Sequence, residues 1–261
     1  MNKEAINIVI SRCVENKEWY MRYMNSNYER VFADSEFILE NINKDSVILD
    51  VGGVPPLLME YLYVNGYKNL CVADPNPEPF IEYFDYRNIK YYKTNVLDNV
   101  SEELLNRFDV VCLNEVVEHI AGNLLKAIEN AIKCLKVGGI LIVTTPNIRS
   151  IWGIVALLKY ESGLATKIIP SKHSVVREQY ERASSDYGYF GHIREYTPKE
   201  VIDLFESFGL KFYKKKFQCD YIHKSSKNMS SRFLIKLISF LEFLFPNWRL
   251  FGKYMFKKEK E

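Results

Sequence analysis

Residues 47–58, VILDVGGVPPLL, decide how this chain is read. A β-branched apolar run ends in Asp50, turns through Gly52 and Gly53, and leads into a leucine-rich stretch with helical spacing. A strand-to-helix turn of this kind lets a ligand approach the backbone, because the missing Cβ atoms leave room and a helix N-terminus offers unpaired N–H groups. A pyrophosphate cradle would repeat glycine as G-x-G-x-x-G, whereas Val54, Pro55 and Pro56 stiffen this loop and remove two N–H donors. A dinucleotide is therefore a poor fit, and a ligand with a ribose but no phosphate is a better one. The next apolar run ends in Asp74, about twenty residues past the glycines, where an acid can accept both hydroxyl hydrogens of a ribose. The competing reading is a tight turn with no ligand.

Outward from this stretch, short apolar runs alternate with helical patterns: SVILDV, NLCVAD, IKYYKT, FDVVCLN and GILIVTT. PPLLMEYLYVNGY reads as a helix between the first pair. SEELLNRF reads as another, opened by Ser101, and EVVEHIAGNLLKAIENAIKCLKVGG as a long one ended by glycines. Strand and helix in alternation with short connections imply parallel strands and right-handed crossovers, so the expected class is α/β with a doubly wound sheet. Residues 3–41 read as two helices, and residues 150–190 as an irregular insertion. TPKEVIDLFESFG carries Thr197 as N-cap, Pro198 in the first turn and Glu200 to close a capping box.

Composition narrows the setting. The chain has 261 residues, 48% hydrophobic and 26% charged, which suits one elaborated globular domain. A formal net charge of +2 gives no nucleic-acid footprint. Five cysteines stand singly, without C-x-x-C, as expected in a reducing cytoplasm. No apolar run reaches the length of a membrane span.

ILDVGG, CVADPNP, NVLD, FDVVCLNEVVEHI, LKVGGILIVTTPN and GHIREYTPKEV follow one another as in class I S-adenosylmethionine-dependent methyltransferases, which residues 45–215 resemble. The resemblance is closest to the branch that holds ubiquinone-biosynthesis O-methyltransferases. It implies a Rossmann-like seven-stranded sheet with the last strand antiparallel, supplied by LFGKYMFKKEK, and an insertion after strand five. It also divides the chain into N-terminal helices over the cofactor (1–44), a methyltransferase core (45–225) and an apolar helix with the last strand (226–261). By the same resemblance, Asp50, Gly52 and Gly53 line the methionine end of S-adenosyl-L-methionine. Asp74 holds its ribose, Asp98 meets its adenine and Asn114 lies beneath it. Val54 and Pro56 depart from the family, which has glycine at both places.

Glu115, Glu118 and His119 follow strand four at offsets of three and four, which on a helix share one face. Two carboxylates and an imidazole suit Mg²⁺ or Mn²⁺, and acids in a first helical turn also suit the helix dipole alone. The E-x-x-E-H element resembles the metal site of ubiquinone-type and small-RNA 2′-O-methyltransferases, and HIREYT resembles the segment that supplies a further histidine in the latter. On that resemblance Glu115, Glu118, His119 and His192 converge on one cation. Without a metal, His119 or His192 is the candidate general base for a hydroxyl. His173 and His223 read as surface residues, and Arg194 as a partner of nearby acids.

The segment SSKNMSSRFLIKLISFLEFLFPNW is mostly apolar with a polar stripe of Lys236, Ser239 and Glu242. Three readings stay open: packing on the domain or in a homodimer through 230–251, a cap over the acceptor site, or a helix lying on an anionic membrane surface. The expected activity is O-methylation of a small-molecule acceptor, a sugar or glycan precursor ahead of a quinone or phenol. A cofactor-free protein that binds a partner is the reading from a different class.

Overall fold

The computed structural model describes residues 2–120, 122–158, 192–219 and 229–259. Most of the expected insertion, His173 and His223 fall outside these residues. Helices α1 (Asn2–Ser11) and α2 (Lys17–Leu39) precede strand β1 (Ile48–Val51). There follow α3 (Leu57–Val64), β2 (Leu70–Asp74), α4 (Ile81–Arg87), β3 (Lys90–Lys93) and β4 (Phe108–Asn114). Then come α5 (Leu124–Cys134), β5 (Leu135–Pro146) and α6 (Ile151–Leu158). The chain closes with α7 (Pro198–Glu206), β6 (Leu210–Gln218), α8 (Met229–Leu244) and β7 (Phe251–Lys258).

The strands form one seven-stranded sheet in the order β3-β2-β1-β4-β5-β7-β6. β1 to β5 pair in parallel, while β7 runs antiparallel between β5 and β6. From β1 and β4 the connections proceed in opposite directions, and the crevice at such a switch point is where open α/β sheets bind ligands.

Alternation along each strand sorts the side chains between two cores. Ile48, Val72, Val110, Cys112, Ile142 and Met255 pack on one face, against α1 to α4. Leu49, Ala73, Val111, Leu113, Val143 and Tyr254 pack on the other, against α5 and α7. The capping box of α7 forms as expected: Thr197 Oγ1 accepts from the N–H of Glu200, and Glu200 accepts from the N–H of Thr197.

Three expectations change. The long helix after β4 is shorter. EVVEH holds only a 3₁₀ turn at Val117–His119, and α5 starts at Leu124, with Asn123 as its cap. Glu115 is the cause, since its backbone is left-handed (φ 55°) and cannot continue a right-handed helix. SEELLNRF yields one 3₁₀ turn at Glu102–Leu104, stopped by a left-handed Asn106 (φ 50°), and Ser101 makes no cap. In α8 the polar stripe is split. Ile238 and Glu242 are buried, while Leu237, Phe240, Phe243 and Leu244 are exposed. Among the described residues no helix is long and apolar enough to cross a membrane.

Candidate active site

The polar ends of the strands follow from the same alternation. Asp50, Asp74, Asn114, Thr144 and Lys253 share parity with residues of the first core, so they point to the face that α2 covers. Of these, Asp50 and Asn114 line a cleft together with Tyr23, Asn27, Arg30 and Gly53. Gly52 has φ +73°, and a Cβ on Gly53 would come within 2.9 Å of Asp50 Oδ2. A side chain there would press on Asp50 and Val72, so glycine lets the loop lie close against β1 and β2.

Each carboxylate on this face has a partner. Asn114 Nδ2 donates to Asp50 Oδ1 at 3.3 Å. Burial pushes the Asp50 carboxyl up to about 7, with Asn114 opposing. The N–H groups of Val54 and Asn76 donate to Asp74 at 3.2 and 2.8 Å. Burial still raises Asp74 to about 6, against both of those bonds. Asp98 differs: its carboxylate is exposed and accepts from the N–H of Asn95 at 3.0 Å, closing its own turn.

Charges that the sequence did not single out complete the face. Arg30 Nη1 on α2 lies 3.6 Å from Glu115 Oε2 and 3.9 Å from Asp34 Oδ2. Lys253 Nζ, from β7, lies 2.8 Å from Asp34 Oδ1, and both side chains are almost wholly buried. Burial pushes the Lys253 ammonium below its ordinary value, and Asp34 opposes that shift. Arg30 and Asp34 stand four apart on α2, and Lys253 interrupts an apolar strand. Those were the available signals.

The expected four-residue metal set separates. Thr144 and Thr145 point to opposite faces, and each takes one glutamate. Thr144 Oγ1 donates to Glu115 Oε1 at 3.3 Å, on the α2 face. Thr145 Oγ1 donates to Glu118 Oε2 at 3.1 Å, on the α7 face. Glu115 is thus a counterion of Arg30, and the remaining three, Glu118, His119 and His192, bring a ligand atom each to within 4.8 Å of one another. The His119 and His192 rings meet edge to face, with centroids 4.9 Å apart.

The segment that carries His192 is pinned at both ends. The N–H of Ile193 donates to the Glu118 carbonyl at 2.7 Å, and Tyr196 bridges to Asn147 just past β5. Glu118 is fully buried, and its Oε1 has no hydrogen-bond partner. Burial, then the charge of Glu115, pushes the Glu118 carboxyl well above the carboxylate range. A buried carboxylate with one orphaned oxygen, within reach of two imidazoles, fits a divalent cation, and it equally fits a proton. Burial also raises Glu115, with Arg30 opposing.

The strand order, the glycine turn after β1 and the acid that ends β2 are those of a nucleoside-binding α/β protein. Residues 20–215 match the methyltransferase domain family, and the chain belongs to it, among the class I S-adenosylmethionine-dependent methyltransferases. It is an enzyme, and S-adenosyl-L-methionine is its cofactor. Solved structures with the same fold include a SAM-dependent methyltransferase of Archaeoglobus fulgidus, with 16% identity, TM-score 0.54, and 88% of this chain and 94% of that one covered. A Haloferax volcanii methyltransferase in complex with the Trm112 methyltransferase activator is similar, at 12% identity and TM-score 0.62, over 96% and 98% of the two chains. The N-methyltransferase NodS of Bradyrhizobium japonicum is also similar, at 15% identity and TM-score 0.51, over 90% and 98%. No curated protein matches in sequence.

Proposed function

We propose that the enzyme methylates a hydroxyl of a small molecule, a sugar or glycan precursor. The observation that carries this reading is the pair of imidazoles beside buried Glu118 at the mouth of β4 and β5. S-adenosyl-L-methionine supplies an electrophilic methyl on a sulfonium. The chain's own residues then have three tasks. Asp50, Gly52, Gly53 and Asn114 seat the methionine end, and Arg30 lies in the same cleft. Asp74 accepts from the ribose hydroxyls, and Asp98 borders the adenine side. His192 or His119 accepts the proton of the acceptor hydroxyl, since a neutral imidazole can do so near neutral pH. A cation held by Glu118, His119 and His192 would lower the pKa of that hydroxyl instead.

The preference for a sugar rests on the polar, tyrosine-rich sequence SSDYGYFGH at 184–192, all of which but His192 lies outside the described residues. A quinone or phenol acceptor is favoured by one feature, the exposed Phe240 and Phe243 of α8, which suit an apolar surface. The test is a panel of nucleotide sugars, catechols and quinols, read by release of S-adenosylhomocysteine, with and without EDTA. Turnover of a hydroxylated sugar is the expected result, and turnover confined to amines would overturn the reading. Loss of activity in EDTA, restored by Mg²⁺ or Mn²⁺, would select the cation over the histidine base.

A further inference from the structure

We infer that Glu195 is a positioning residue, which fixes the tautomer of His192 and thereby the nitrogen that faces the acceptor. The inference rests on the proposed role of His192. Glu195 Oε1 lies 3.0 Å from His192 Nδ1, and the glutamate side chain is only 3% exposed. A buried carboxylate accepts and cannot donate once ionised, so the bond requires a hydrogen on Nδ1. In a neutral ring the lone pair then sits on Nε2. Nε2 is thus the atom that can take a proton or bind a cation, and the carboxylate behind the ring fixes its orientation in either role.

The local fold explains why the carboxylate stays there. Glu195 follows the Ile193 N–H···O=C bond to Glu118 and precedes Tyr196, whose carbonyl accepts from the N–H of Ile148 at 3.2 Å. Thr197 then caps α7. The backbone on either side of Glu195 is held, so the pair is built into the start of a helix and not left to two mobile side chains.

The experiment is long-range ¹H–¹⁵N spectroscopy of the full chain with ¹⁵N-labelled histidine, at a pH where the ring is neutral. There are 4 histidines, so single His→Gln variants assign the signals. Wild type should show His192 as the Nδ1–H tautomer. Glu195→Leu should lose that preference, and Glu195→Asp should restore most of it. If Glu195→Leu does not fold, Glu195→Gln replaces it, because an amide that can also donate should lower the Nδ1–H share. An Nε2–H tautomer in wild type, or an Nδ1–H share unchanged in the variant, overturns the inference. Mn²⁺ added to the same samples tests the cation separately. Broadening of the His119 and His192 signals should need about ten- to hundredfold more Mn²⁺ in Glu195→Leu, and equal titrations would count against positioning. Absence of broadening in wild type removes the cation reading and leaves the tautomer result standing. His192→Ala with undiminished acceptor turnover would sink the role of His192 itself.

Discussion

Thr144 and Thr145 are neighbours in one strand, yet the two faces they serve are built on opposite terms. On the α2 face Arg30 meets Glu115 and Lys253 meets Asp34, and the Asn114 amide donates to Asp50, while Asp34 Oδ1 and Asn114 Oδ1 take no hydrogen bond. On the α7 face Glu118 has a hydroxyl for one oxygen and nothing for the other, beside two imidazoles. A buried carboxylate that meets a countercharge holds a shape, while one without it stores a cost that a ligand can relieve. The matched face suits a site that binds, and the unmatched face a site that reacts.

That division can be broken most sharply at the unmatched face. Glu118→Gln and His192→Ala should each lower kcat by about 10²–10⁴, once an acceptor is in hand, while calorimetry finds cofactor affinity within about twofold of wild type. A parallel collapse of affinity would merge the two faces into one. Next in size, Asp74→Ala should weaken cofactor binding by about 1.5–3 kcal/mol, roughly ten- to hundredfold, with kcat at saturating cofactor little changed.

A pH series sharpens the matched side. Burial raises Asp50 to about 7, so its carboxyl is neutral in the unliganded fold below that pH. A cationic methionine end favours the ionised form, so affinity should climb as pH rises toward 7, by up to about tenfold per unit, then level off. The sign for the unliganded fold is the reverse. A raised folded-state value gives stability that is full below the ordinary carboxylate range and lost as pH rises through about 7. Flat affinity between pH 5 and 7 would remove Asp50 from the cofactor site. The smallest effect should separate the threonines. Thr145→Val should cost about 1 kcal/mol, because Glu118 loses its side-chain donor, and Thr144→Val about half that, because Glu115 keeps Arg30. Thermal melts would rank them.

The sheet was legible because its evidence is local. Apolar runs of strand length, glycine turns and the Thr197-Pro198-Glu200 cap each report on their own neighbourhood. Asp50 and Asp74 stood out because each closes an apolar run beside a turn, whereas Asn114 was reached only through the family resemblance. The split of Glu115 from Glu118 was not legible, since spacings of three and four assume a helix, and the left-handed backbone at Glu115 removes it. Arg30, Asp34 and Lys253 meet from α2 and β7, more than two hundred residues apart in sequence, and no local pattern joins them. Glu195 stood within a recognised motif, but its task depends on a ring whose orientation only the folded chain defines.

The position of β7 has a consequence for the order in which the molecule is made. Residues 251–258 are inserted between β5 and β6. A nascent chain that has emerged only as far as β6 therefore has β5 with an open edge along Ile140–Pro146, and Asp34 without the ammonium of Lys253. The cleft is then bounded by a helix whose buried Asp34 has only Arg30, at 3.9 Å and shared with Glu115, as a countercharge. One late strand closes the sheet and brings Asp34 its nearer cation in the same event, so the cleft reaches its final charge only when the last of these strands has docked.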